Sequence, residues 1–212
     1  MDRDQLKLPR LYPIIDAGCF TGEQEPTTAL LRHASELAAG GATLLQYRNK
    51  LGNAREMLSH ARELKRVLGQ RVLLIMNDRA DLCLAAGLDG VHLGQDDLSS
   101  AATRILVGNN AVVGFSTHNP EQVREADSLP LDYIAVGPVF ATATKANPDP
   151  VIGLEGVRMA RSLTSKPLVA IGGITRANCR SVIQAGADSV AIIADLLHEP
   201  RQSVQELLRL LA

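Results

Sequence analysis

The chain has little of what marks a secreted, membrane-bound or nucleic-acid-coating protein. Cysteine is scarce: Cys19, Cys83 and Cys179 stand far apart in 212 residues. Their odd number and the lack of a Cys-x-x-Cys pair argue against a disulfide framework or a structural zinc site. They point to a reducing compartment and read as packing residues. Neither sign of charge is in excess, with 22 Lys and Arg against 23 Asp and Glu, a net charge of −1. That argues against a generic nucleic-acid or membrane surface, yet leaves room for a local basic site in a cleft. Long apolar runs are missing as well. The amino-terminal "MDRDQLKLPRLYPIID" lacks the apolar core of a signal peptide, and no run approaches bilayer-spanning length. The expectation is a cytoplasmic protein with small-molecule substrates and no nucleic-acid or membrane partner. The oligomeric state is not legible.

What the chain does have is a rhythm. Short apolar runs recur at 11–16 ("LYPIID"), 43–48, 72–77, 90–94, 112–116, 133–140 ("YIAVGPVF"), 167–173 and 189–194. Each is continuous rather than alternating, as parallel strands buried on both faces require. Amphipathic segments lie between them, such as 53–69, with Met57, Leu58, Ala61, Leu64, Val67 and Leu68 at helical spacing. A weak internal repeat supports the count. "AAGLDGVHL" (85–93) and "QAGADSVAI" (184–192) share a helix end, a glycine, an aspartate and a strand, and "AAGGATLLQ" (38–46) is a looser copy. Gly40, Gly87 and Gly186 suit left-handed helix caps. Strand–helix alternation repeated eight times predicts a single-domain (β/α)8 TIM barrel spanning 1–212. A doubly wound open sheet fits less well, since "DAGCFTGEQ" is a poor glycine-rich turn after the first strand.

Active sites of such barrels lie at the carboxyl ends of the strands. Those ends carry Gln46, Arg48 and Lys50; Asn77 and Asp78; Gln95, Asp96 and Asp97; Ser116, Thr117 and His118; Thr142, Thr144 and Lys145; and Gly172 and Gly173. Asp78 with one of Asp96 or Asp97 can share Mg²⁺, which favours a few carboxylates supplemented by waters and phosphate oxygens. Arg48, Lys50 and Lys145 suit a polyphosphate. The turn at Gly172–Thr175 is expected to open a helix whose amides bind a second phosphate. Gln46, Asn77 and Ser116 are left as neutral hydrogen-bonding groups for a polar ring.

Taken singly, most of these residues have plainer readings. Asp78 before Arg79, and Asp97 before "LSSAATRIL", read as helix caps, and Arg48 and Lys50 as solvated charges. His92 reads as a hydrogen-bonded core histidine, and His118 as a base or simply the start of a helix. Clustering at one end of six strands is what caps and surface charges do not explain.

The motifs "LQYRNK", "NDRADL", "DGVHLGQDDL", "GFSTH", "GPVFATATK", "AIGGIT" and "AGADSVAII", in this order, resemble the thiamin phosphate synthase (thiamin phosphate pyrophosphorylase) family over essentially the full length. The resemblance implies a (β/α)8 barrel that condenses hydroxymethylpyrimidine diphosphate with thiazole phosphate and releases pyrophosphate. It implies that Gln46, Tyr47, Arg48, Asn49, Lys50, Asn77, Ser116 and Lys145 bind the pyrimidine diphosphate. Arg48, Lys50, Ser116 and Lys145 would then carry the catalysis. Thr142, Ala143, Thr144, Gly173, Ile193 and Ala194 would bind the thiazole phosphate, and Asp78 and Asp97 would hold Mg²⁺. Ala194 departs from the pattern, which often has serine there. The stretch 141–153 is long for a barrel loop and is expected to act as a lid.

Overall fold

The computed structural model describes residues 7–142 and 149–212. Among these, eight strands form one closed parallel barrel in chain order. They are β1 (Leu11–Asp16), β2 (Leu44–Arg48), β3 (Leu73–Asn77), β4 (Gly90–Leu93), β5 (Val112–Thr117), β6 (Tyr133–Val136), β7 (Leu168–Ile171) and β8 (Ser189–Ile192). The ring closes where Leu11 and Tyr12 of β1 pair with Val190 and Ala191 of β8. The helices that follow the strands are α1 (Pro26–Ala39), α2 (Ala54–Leu68), α3 (Ala80–Ala86), α4 (Ser100–Val107), α5 (Pro120–Ser128), α6 (Gly153–Leu163), α7 (Cys179–Gln184) and α8 (Pro200–Leu211). The expected (β/α)8 architecture is therefore the one observed.

Two apolar layers hold the barrel, and strand parity divides the residues between them. The inner layer is small, with Tyr12, Ile14, Leu44, Ile75, Val112, Tyr133, Ala135, Val169 and Ala191 filling the barrel axis. The outer layer joins strands to helices. In α2 it takes Met57, Ala61, Leu64 and Leu68, the face the sequence spacing marks. Asn53 starts that helix by accepting from the Glu56 amide at 3.1 Å. Leu64 is fully buried, so truncating it to alanine would cost about 2–5 kcal/mol.

The repeated aspartate has a mechanical role at the amino-terminal end of the barrel. Asp89 donates its amide to Leu74 O at 3.0 Å, and its carboxylate accepts from Leu74 N at 2.8 Å. Asp188 makes the same exchange with Leu168, and Asp132 makes it with Val113. Each carboxylate also meets a cation from the helix one step back in the chain: Lys65 on Asp89, Arg104 on Asp132 and Arg161 on Asp188. The device laces neighbouring strands together where the barrel carries no chemistry.

Several expectations need correction. Gly87 caps α3 in the left-handed region at φ 66°, and Gly186 also has positive φ, 112°. Gly40 does not: its φ is −73°, and the positive angle belongs to Gly41. Gly40 is needed because a Cβ there would lie 2.6 Å from Arg201 O. The run at 133–140 leaves the ladder after Val136, although Val139 and Phe140 still donate to Ile171 and Gly172 carbonyls at 2.9 and 3.0 Å. Cys83 and Cys179 are buried as expected for packing residues, but Cys19 is exposed.

Candidate active site

A cavity of about 290 Å³ opens at the carboxyl ends of the strands. Gln46, Arg48, Lys50, Asn77, Asp78, Ser116, Thr142, Gly173, Ile193 and Ala194 line it, so most of the anticipated residues are brought to one place. Ala143, Thr144 and Lys145 lie outside the described residues, as do residues 146–148 of the stretch expected to act as a lid.

Tyr47 and Asn49 are brought elsewhere, for a reason of parity. Successive strand residues face opposite sides, so Gln46 and Arg48 face the cavity while Tyr47 enters the outer layer. There the Tyr47 hydroxyl lies 2.9 Å from His60 Nδ1. Asn49 shapes the following turn, its Oδ1 accepting from Leu51 N and Gly52 N at 3.1 and 2.7 Å and its Nδ2 donating to Glu56 at 3.2 Å. Neither side chain lines the cavity.

The two aspartates are not helix caps. Arg79 occupies the position before α3 and pairs with Asp81, while Ser99 caps α4 by accepting from Ala102 N at 3.3 Å. Asp78 has a positive φ of 62°, which costs a non-glycine residue roughly 1–2 kcal/mol. That conformation turns its carboxylate toward the cavity, where Lys50 pairs with it. Asp97 accepts from Gly94 N at 2.6 Å. Burial holds the Asp97 carboxyl above the ordinary range, and the nearby Asp78 carboxylate adds to the shift. Adjacent oxygens that repel one another suit a hard cation. Among the described residues no group of three or more His, Cys, Asp or Glu side chains stands together, so waters or substrate oxygens would complete such a shell. Neither Asp96 nor Asp97 lines the cavity itself; Asp97 stands behind it, next to Asp78.

Arg48 is anchored by Asp16, a residue passed over in the sequence. Asp16 also accepts from Gly18 N at 3.0 Å, which fixes the carboxylate that orients the guanidinium. The glycine turn is real but does not open a helix directly. Gly172 and Gly173 have φ of 101° and 62°, and α7 begins six residues later at Cys179. Asn178 closes the intervening loop, accepting from Thr175 N at 2.8 Å and donating to Gly173 O at 3.0 Å. A Cβ at Gly173 would meet Ala141 O at 2.4 Å, so the β6 and β7 loops touch there. The part of the cavity lined by this backbone is thus the turn itself, with Ile193 and Ala194 also lining the cavity.

The floor carries groups whose part in the site the sequence did not signal. Gln46 Nε2 donates to the Tyr12 hydroxyl at 3.1 Å, and that hydroxyl lies 2.9 Å from the Tyr133 hydroxyl. The Tyr133 hydroxyl lies 2.9 Å from His92 Nδ1, and His92 Nε2 lies 2.8 Å from Ser116 Oγ. Burial lowers the His92 pKa to about 4, so the imidazole is neutral at pH 7. His92 is the hydrogen-bonded core histidine its sequence setting suggests, yet it also reaches the cavity wall. Gly114 makes room for the network, since a Cβ there would lie 2.0 Å from Tyr133 Cζ. His118 Nδ1 donates to Gly137 O at 2.7 Å, tying the end of β5 to the β6 loop.

A closed barrel with paired carboxylates, anchored cations and a glycine turn at its catalytic face is a phosphate-handling (β/α)8 enzyme. Comparison with known proteins sharpens that class. The profile of the family described as thiamine monophosphate synthase matches residues 11–196. A thiamine-phosphate synthase of Koribacter versatilis is 65% identical over 207 residues, 97% of each chain. One of Vibrio campbellii is 39% identical over 205 residues, 95% of this chain and 98% of its own. The solved thiamine phosphate pyrophosphorylase of Pyrococcus furiosus superposes with a TM-score of 0.82 at 31% identity, covering 95% of both chains. The chain belongs to the thiamine monophosphate synthase family and is a transferase of thiamine biosynthesis.

Proposed function

We propose that the chain condenses 4-amino-2-methyl-5-hydroxymethylpyrimidine diphosphate with 4-methyl-5-hydroxyethylthiazole phosphate in a Mg²⁺-dependent dissociative substitution, giving thiamin phosphate and pyrophosphate in the cytoplasm. The observation that carries this reading is Asp78, paired with Lys50 and neighboured by Asp97, at the same cavity as the Gly172–Gly173 turn. The first group suits a metal-bound diphosphate and the turn a phosphate monoester.

In this reaction the bond from the pyrimidine methylene to the diphosphate oxygen breaks, and its electron pair leaves on pyrophosphate. The thiazole nitrogen then supplies the pair that forms the new carbon–nitrogen bond. Bound Mg²⁺ would offset the charge gathering on the leaving group. Lys50 and Lys145 would add to that stabilisation, with Arg48 held in place by Asp16. Gln46, Asn77 and Ser116 would orient the pyrimidine ring. Thr142, Ala143, Thr144, Gly173, Ile193 and Ala194 would receive the thiazole phosphate. The serine–histidine pair at the cavity wall, Ser116 Oγ and His92 Nε2 at 2.8 Å, is assigned to orienting the ring, so the proposed route needs no covalent attachment to the protein. The chain's part is then to position and to neutralise.

The test is pyrophosphate release from the two substrates and Mg²⁺, followed with each component omitted in turn. Release that needs all three is expected. No release would overturn the proposal, and release without the thiazole partner would make the chain a diphosphate hydrolase.

A further inference from the structure

The side chains of Gln46, Tyr12, Tyr133, His92 and Ser116 form one unbroken hydrogen-bonded chain from β2 to β5 across the barrel floor. Its two ends line the cavity, Tyr12 and His92 reach the cavity wall between them, and all three middle members are only 0–8% exposed.

We propose that this chain acts as a polarity relay, which obliges Gln46 and Ser116 to present unlike hydrogen-bonding faces to the ring between them. Each tyrosine hydroxyl has one proton, and a neutral imidazole has one N–H. Gln46 Nε2 donates to Tyr12, so the Tyr12 proton goes to Tyr133 and the Tyr133 proton to His92 Nδ1. His92 Nε2 then carries the N–H and donates to Ser116 Oγ. The serine proton is left for the cavity, while Gln46 keeps its carbonyl oxygen as an acceptor. Turning the Gln46 amide over reverses every link together, so the two ends invert but remain unlike. A mixed state would leave two donors or two acceptors facing each other among side chains that are almost wholly buried, which is costly.

The rings that carry the relay are fixed by packing. His92 stacks on Tyr133 with centroids 5.6 Å apart and planes at 19°, and Tyr133 meets Tyr12 edge-on at 5.9 Å. Gly114 is the position that admits the Tyr133 ring. Tyr12, Tyr133 and His92 are thus positioning residues, and the ring they select offers a donor at one edge and an acceptor at another. An aminopyrimidine does so, through its amino group and its ring nitrogens. Assigning the ring to these two ends rests on the pyrimidine reading of the site given above.

The experiment compares binding of the pyrimidine diphosphate with analogues in which each ring nitrogen in turn is replaced by C–H. It uses wild-type protein, Tyr133→Phe and Tyr12→Phe. Wild type should bind one of the analogues about tenfold or more weakly, because the Ser116 proton loses its acceptor. Tyr133→Phe keeps the ring packing but cuts the relay, so the two ligands should bind within about threefold of each other. The KM for the thiazole phosphate should be unchanged in the same variant. Tyr12→Phe should lose discrimination in the same sense, and decides the matter if Tyr133→Phe does not fold. Discrimination kept at the wild-type level in either folded variant would overturn the relay. Failure of wild type to bind the pyrimidine diphosphate at all would instead sink the substrate reading, and the relay's role with it.

Discussion

The ammonium of Lys50 pairs with the carboxylate of Asp78, beside which stands Asp97. The lysine is therefore the counterion of the carboxylate proposed to hold the cation. A divalent cation must compete with it, and a displaced Lys50 becomes available to the diphosphate. Substituting Lys50→Met should tighten Mg²⁺ or Mn²⁺ binding while lowering kcat by about 10²-fold. Metal titration by calorimetry and steady-state rates measure the two effects separately. Loss of both metal affinity and rate would contradict the competition.

A second prediction concerns Asp97 in the metal-free protein. Its carboxyl is held above the ordinary range by burial and by Asp78. A carboxyl with a raised folded-state pKa opposes folding once it is ionised, and this cost grows as pH rises through that pKa. Asp97→Asn removes the charge and can keep the acceptor for Gly94 N. At pH 7 without divalent ions the variant should melt at a temperature equal to or above that of wild type. With both substrates and Mg²⁺ it should be severely impaired in pyrophosphate release. A lower melting temperature together with full activity would place Asp97 outside the cation site.

The aspartates at the opposite end of the barrel make a graded prediction. Arg104 and Asp132 each expose 9% of their side chains, and Arg104 also donates to Ala111 O at 2.6 Å and Pro130 O at 3.1 Å. Removing one partner of a buried pair is costly, so Arg104→Met should lose about 3 kcal/mol. Lys65 is more exposed, at 28%, and Lys65→Met should lose about 1 kcal/mol or less. Urea midpoints at pH 7 give both values. The reverse order would mean that these pairs do not stabilise the barrel through burial.

How much of this was legible follows from which patterns run along the chain and which run across it. The eight apolar runs are local, and seven match strands to within two residues at either end. The run at 133–140 outlasts its strand because its apolar residues continue to bond the β7 loop after leaving the ladder. The repeat in "GLDG" and "GADS" was visible, but the equivalent Asp132 was hidden because it follows "SLPL" rather than a glycine. Asp78 and Asp97 stood out as carboxylates at strand ends, whereas their approach to each other depends on the closure of β3 and β4. The contiguous motif takes in Tyr47 and Asn49 because it does not say which side chains face in. Strict parity from Gln46 would have excluded them. The same parity would have drawn Tyr12, His92 and Tyr133 into the site, but their contacts cross the barrel and only its register brings them together.

The last prediction turns on His33, on the face of α1 that packs against the barrel. Its ring is 7% exposed and lies 5.3 Å from that of Phe20. Burial lowers its pKa from 6.5 to about 4. Between these values the unfolded chain takes up a proton that the folded chain refuses, so stability falls as pH drops from about 6.5 towards 4 and then levels off. At pH 5 this one residue should account for about 1–2 kcal/mol of lost stability relative to pH 7. His92 shares the direction of the shift, so wild type alone does not isolate the effect. His33→Leu keeps an apolar group of similar reach and cannot titrate. Its urea midpoint should therefore fall less between pH 7 and pH 5 than that of wild type. An equal fall in the two proteins would mean that His33 finds a proton acceptor or water in the folded state, and that its burial does not govern the acid sensitivity of the barrel.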